Sequence, residues 1–166
     1  MKVKIDTKTV VENFRRALEL ARDVKPLIAQ IVGGPKDSKP WTIRGSIARS
    51  FIQKQDPKYK TWPALKESTV KSKNKNFPGT STLIATGDLF NSLIQKSKGS
   101  VYIMNGPKLS YGTSIPYAQF HMTGTENMEA RPFIGVTPEQ ARTWKLLIRN
   151  YFKAAMEGDK PEKVKV

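Results

Sequence analysis

The chain has no cysteine among its 166 residues. That absence removes a disulfide framework, a thiolate metal site and a cysteine nucleophile together. Histidine is almost as scarce: His121 stands alone, so a metal site built from several imidazoles is excluded. No apolar run approaches the length of a membrane span. The longest, near Leu27 to Val32, is short and broken by Gln30. The opening Met1-Lys-Val-Lys-Ile-Asp6 holds no apolar stretch of signal-peptide length, so the expected compartment is the cytoplasm of the producing cell. There is no internal repeat and no low-complexity tract. Carboxylates are outnumbered, 14 against 29 basic residues, which leaves a net charge of +15.

What is present fits a folded chain. Hydrophobic residues at 38% and charged residues at 26% suit a globular protein rather than a disordered one. The length suits one domain with a core that needs no staples. We expect a single structural domain over residues 1–158, with a basic, loop-rich insertion at about 36–80 and a basic tail over 159–166.

The positive charge is unevenly spread. Residues 36–76 carry eleven basic and three acidic groups, while residues 77–130 carry three of each. More than half of the excess thus sits in one quarter of the chain. Such a surface attracts a phosphate backbone or an acidic protein face. Nine of the eleven are lysines, so no arginine cluster stands ready for bidentate phosphate contact. Trp41, Tyr59 and Trp62 interleave with the charge, as base-stacking residues would, or as core anchors would.

Hydrophobic periodicity predicts the elements. Asp6 to Val32 reads as a helix with Val10, Val11, Phe14, Ala17, Leu18 and Ala21 at three- and four-residue steps, kinked or split at Pro26. A short helix fits Ser46 to Gln55 with Ile47, Phe51 and Ile52 inward. Another fits Ala64 to Lys73, followed by a solvated loop, Lys71 to Asn76. Thr86 is a plausible N-cap for a helix carrying Leu89, Phe90 and Leu93. Strands are expected at 93–97 and 100–104, joined at Lys98-Gly99, with a third at 109–113. Tyr117 to Gly124 is compatible with helix or strand, and Arg131 to Val136 with extended chain. The last element has the clearest signal. Thr137 and Gln140 form a capping box with Pro138 between them, and Trp144, Leu147, Ile148, Tyr151, Phe152 and Ala155 make one apolar stripe ending near Gly158. The fold class expected is α+β, a small antiparallel sheet packed with N-terminal and C-terminal amphipathic helices.

No constellation for chemistry emerges. His121 lacks a sequence-local nucleophile and orienting acid, since Glu126 and Glu129 lie in a loop and no Gly-x-Ser-x-Gly turn exists. Gly33-Gly34-Pro35 and Asn105-Gly106-Pro107 are turns rather than phosphate loops. Asp56, Glu67 and Asp88 are isolated from one another in sequence, which gives a two-metal site or a carboxylate pair little to work with. The expectation is a protein that is not an enzyme and that carries no cofactor and no metal.

One order of motifs rises above background. Trp62-Pro63-Ala64-Leu65, then Thr69 and Lys71, is followed by Leu83-Ile84-Ala85-Thr86-Gly87-Asp88-Leu89 with Ser92. Tyr117-Ala118, His121 and Gly124 come next, then Arg131-Pro132-Phe133-Ile134-Gly135-Val136 and the helix to Met156. Over residues 47–156 this resembles the tail-completion, or virion-morphogenesis, family of tailed bacteriophages (proteins like the phage Mu G product). The resemblance implies a non-enzymatic structural protein of the neck or upper tail, assembled in the host cytoplasm and carried in the virion. It also implies a compact α+β fold, a homo-oligomeric ring (hexameric by the family's six-fold symmetry) and other neck or tail proteins as partners. The lysines of the 66–76 stretch are this sequence's own departure, and non-specific nucleic-acid contact is the alternative they suggest. The interface residues expected are Arg131, His121 and Trp62 with Lys66, Lys71, Lys73 and Lys75. Gly87, Leu89, Tyr117, Gly124, Pro132 and Phe133 are expected to be structural. Arg131 is expected at the edge of the core, reaching a carboxylate of its own chain or a neighbour, with Phe133 or its neighbour Ile134 in the core beneath the final helix.

Overall fold

Pro26 decides the first break in the chain. It has no amide proton to give, so it sits in the opening turn of a helix, where none is needed. Accordingly α1 spans Thr7–Arg22 and a separate α2 spans Lys25–Val32. The computed structural model describes residues 7–37 and 39–157. The expected helix start at Asp6, the stop at Gly158 and the tail lie outside them, as do the side chains of Val10, Ala21 and Ala155. The other elements are α3 (Ile43–Gln53), α4 (Glu67–Asn76), α5 (Asp88–Ile94), β1 (Ser100–Asn105), β2 (Lys108–Thr113), α6 (Ala118–Thr123) and α7 (Pro138–Glu157). The α+β class holds, with one two-stranded antiparallel sheet among the described residues. The stretch 36–80, expected to be a loop-rich insertion, carries α3 and α4, and α3 supplies Ile47 and Phe51 to the core.

Several boundaries differ from the sequence reading, each for a local reason. The hairpin expected across Asn105-Gly106-Pro107 forms, pairing Asn105 with Lys108 and Tyr102 with Tyr111, whereas Lys98-Gly99 turns the chain without a strand before it. No strand forms at 93–97, because Leu89, Leu93 and Ile94 keep helical spacing and are all buried in α5. The cap of α5 is Gly87 at φ 89°, a left-handed conformation that glycine adopts freely, in place of Thr86. Thr86 instead donates its hydroxyl to the Asp88 carboxylate at 2.6 Å. Lys71 to Asn76 is helix rather than loop, and α4 stops at Phe77 because Pro78 follows. Ile52 is exposed, since the buried face of α3 runs through Ile47 and Phe51 and Ile52 lies a third of a turn away. Tyr117 to Gly124 resolves as a helix, α6.

The core has two parts. The larger joins α3, α5, α6 and the 131–134 segment around Phe51, whose ring meets Trp62 at 5.8 Å, Phe90 at 5.2 Å and Phe133 at 5.6 Å. Phe133 therefore belongs to this cluster and does not lie beneath the final helix as expected. The hairpin packs against α5. The smaller part is Leu27, Leu147 and Tyr151, with Trp41 and Trp144 against them, where α2 meets α7. Each such apolar side chain contributes about 1.5–3 kcal/mol by leaving water.

Polar ties join the two parts. Thr137 and Gln140 form the predicted capping box, at 2.8 and 3.0 Å. The fully buried Gln140 amide also donates to the Thr42 carbonyl at 3.0 Å and to the Ser46 hydroxyl at 2.8 Å, fastening α7 to α3. Farther along α7, the Trp144 indole donates to the Trp41 carbonyl and the Tyr151 hydroxyl to the Asp23 carbonyl. α1 lies along α7, yet Val11, Phe14 and Leu18 on its other side remain 58%, 68% and 63% exposed.

Candidate functional site: an interaction groove

Four segments far apart in sequence meet at one place. Arg131 holds them together. Its guanidinium is buried and donates to three main-chain carbonyls, Pro63 at 3.0 Å, Ala64 at 2.9 Å and Glu129 at 3.3 Å. Its amide donates to the His121 carbonyl at 2.7 Å. One residue away the Trp62 indole donates to the Pro132 carbonyl at 2.8 Å. Segments 62–64 and 131–132 are thus clasped side by side. The expected carboxylate partner of Arg131 is replaced by neutral oxygens of its own chain, because the loop carbonyls left without sheet partners need donors.

Gly124 turns the chain back after α6. It sits at φ 77°, and a Cβ there would lie 2.9 Å from the Met128 carbonyl, so only glycine fits this return. The loop that follows brings Met128 and Glu129 to the same place. Gly87 does the corresponding work for α5, setting Asp88 and Leu89 beside Tyr117.

These segments line a groove of about 380 Å³. Its apolar surface comes from Leu65, Leu83, Ile84 and Met128, and its charged groups are Lys66, Lys73, Arg131, Asp88 and Glu129. A second cavity of about 450 Å³ shares Asp88 and Tyr117 with it and continues past Lys98 to Ile115. The two are open troughs meeting at one wall.

The electrostatics are those of a half-desolvated surface. Burial, and secondarily the charge of Arg131, holds His121 below the usual imidazole range. Its Nδ1 is buried without a hydrogen-bond partner, and its ring meets Tyr117 edge-on at 5.9 Å. Lys73 turns inward from α4 and donates to the Thr80 hydroxyl at 2.7 Å and to the Ile84 carbonyl. Desolvation lowers its pKa. Tyr117 is pushed up by desolvation and then by Asp88, against the pull of the Leu89 amide. What the arrangement offers chemically is an apolar floor with cations at its edges. Among the described residues no three His, Asp or Glu side chains gather as a metal ion would need.

The expected interface residues divide. Arg131, His121, Lys66 and Lys73 line the groove. Lys71 is exposed and pairs with Glu67 at 2.8 Å, and Lys75 is exposed on the same helix; neither lines the groove. Trp62 is buried in the core and closed to base stacking. Of the structural set, Leu89 and Phe133 are buried in the main core, Gly87 and Gly124 cap helices, and Tyr117 lines the groove. Sequence reasoning missed Met128 and Glu129, for which Gly124 was the only signal, and the inward turn of Lys73. Among the described residues no helix is long and apolar enough to cross a membrane. Comparison with known proteins finds no matching family model, no matching curated protein and no matching solved structure.

Proposed function

We infer that the chain is a structural assembly subunit of a tailed bacteriophage, completing the tail or joining tail to head at the neck as part of a closed homo-oligomeric ring. The observation that carries the assembly reading is the bare stripe of α1. Val11, Phe14 and Leu18 recur at three and four residues on one helix face, and all three are more than half exposed. Large apolar groups aligned on one face of a surface helix mark a protein contact. What supports the phage reading is the motif order. Ala64-Leu65, Thr69, Leu83 to Leu89, Tyr117, His121 and Arg131, quoted for the resemblance from four separate segments, all line one groove. A head-to-tail contact between copies closes into a ring when its rotation permits.

Light scattering and native mass spectrometry of the purified chain test this. The expected result is a single closed oligomer that Phe14→Asp converts to folded monomer. Monomer at every concentration, unchanged by Phe14→Asp, would sink the ring. The basic surface favours the alternative reading, and duplex DNA separates the two. Binding that is weak, sequence-independent and steeply lost with salt fits lysines that meet acidic proteins. A tight complex that prefers one sequence and survives high salt would install a nucleic-acid-binding function instead.

A further inference from the structure

We propose that the groove between α4, α5 and α6 is a docking site for an extended, acidic segment of a partner protein, with apolar side chains alternating between its carboxylates.

Charge complementarity argues for the carboxylates. Arg131 is buried and Lys73 is partly shielded, and the partners they hold are a hydroxyl and main-chain carbonyls. Among the described residues no Asp or Glu oxygen lies within 4.0 Å of either cation. Two partly desolvated cations in one wall make a field that an incoming anion satisfies at little further desolvation cost. Lys66 stands exposed on the rim of the same groove, and Lys98 on that of its continuation. The groove's own acids, Asp88 and Glu129, leave its three cations in excess by one. Asp88 accepts from the Thr86 hydroxyl and borders Tyr117, and Glu129 is exposed.

Shape argues for an extended chain. The two cavities share Asp88 and Tyr117 in their linings, so a chain seated in the first can pass over that common wall into the second. An extended strand sends alternate side chains to opposite sides. One set reaches Leu65, Leu83, Ile84 and Met128, and the other faces the lysine rim. α4, which buries none of its ten residues, forms one lip, held by the Lys73 tether. A docked segment would supply the apolar cover that this helix lacks within the chain. The site is separate from the α1 stripe, so it stands whether or not the ring forms.

His121 gives the test a unique reporter. It is the sole histidine and it lines the groove, so its imidazole proton signals are assigned without ambiguity. The probe is a blocked eight-residue peptide of alternating aspartate and leucine, titrated into the full chain. The controls are the same peptide with asparagine for aspartate, and single-stranded DNA. Saturable movement of the His121 signals is expected with the acidic peptide, and affinity should fall roughly tenfold in Lys66→Glu, where the altered side chain is exposed and bears no structural tie. Lys73→Met gives a second reading with the inward cation removed. The proposal is overturned if the acidic peptide leaves His121 unmoved, if the asparagine peptide binds as well, if Lys66→Glu binds undiminished, or if DNA moves the signals at lower concentration than the peptide. Oligomer mass measured on the same samples reports the ring independently, so loss of one finding is not mistaken for loss of the other.

Discussion

α1 and α7 carry the same signal in sequence and meet different fates. Both repeat apolar residues at three- and four-residue steps. On α7 that stripe delivers Leu147 and Tyr151 to full burial against α2. On α1 the corresponding stripe, Val11, Phe14 and Leu18, faces outward although the helix lies along α7. Periodicity thus states that a face seeks cover, and not what covers it. For α7 the cover is the rest of the chain. For α1 we read it as another copy.

The contrast can be broken at its strongest point first. Leu147→Ala opens a cavity where nothing is exposed and should cost about 3 kcal/mol, whereas Leu18→Ala should change monomer stability by no more than about 0.5 kcal/mol. Urea denaturation of both variants at a concentration where the chain is monomeric decides this; equal losses would mean that α1 is part of the core. Next, Gln140→Ala removes the capping box and the two bonds donated to the Thr42 carbonyl and the Ser46 hydroxyl, which keep their bonds within α3, for a loss of about 2 kcal/mol. The glutamate variant at that site should recover the cap but not the two donated bonds, which isolates the share owed to the tie with α3. Third, Phe14→Asp should keep the unfolding free energy of the monomer within about 0.5 kcal/mol of the parent while the assembly loses mass.

Acid supplies the smallest effect and a control for the other three. His121 is held below its usual range by burial and by Arg131, so the unfolded chain takes up a proton more readily than the folded one. Stability should therefore be whole above about pH 6.5 and fall as pH drops below it, with the loss levelling off only beneath the depressed folded value. His121→Gln should flatten that part of the profile. The imidazole sits away from α1 and α7, so the difference between Leu147→Ala and Leu18→Ala should be the same at about pH 7.5 and about pH 5.5.

Much of this architecture was legible in advance where one residue type forces one conformation. Pro26 split the first helix, Thr137-Pro138-Glu139-Gln140 opened the last one, and Ile47, Phe51, Leu89 and Leu93 turned inward as their spacing required. The failures share a cause. The hairpin register, the end of α4 and the cap of α5 were each decided by competition between two adequate local signals, and tertiary packing settled it. Lys98-Gly99 and Gly106-Pro107 are both turns, and the burial of α5 in place of a strand at 93–97 leaves only the second between two strands. The groove was half visible. Its residues were singled out, yet their convergence depends on Arg131 donating to carbonyls, and no side-chain pattern announces an acceptor on the main chain. Trp62 was open to two readings, a stacking residue among lysines or a core anchor, and its buried indole, donated to the Pro132 carbonyl, decides for the core.

The polar ties of α7 also imply a gradient of motion. Gln140 fastens the first turn to α3 with bonds shielded from water, whereas the turns around Leu147 and Tyr151 rest on three buried side chains and on single bonds from Trp144 and Tyr151 to main-chain carbonyls. The α2–α7 layer can swing open from its far end without disturbing the cluster around Phe51. In native-state hydrogen exchange, amide protection should be greatest in α3 and α5, intermediate in the first half of α7, and least in α4, which buries none of its ten residues. A chain built this way keeps a rigid body around Phe51 while the layer of α2 and the far end of α7 samples small displacements.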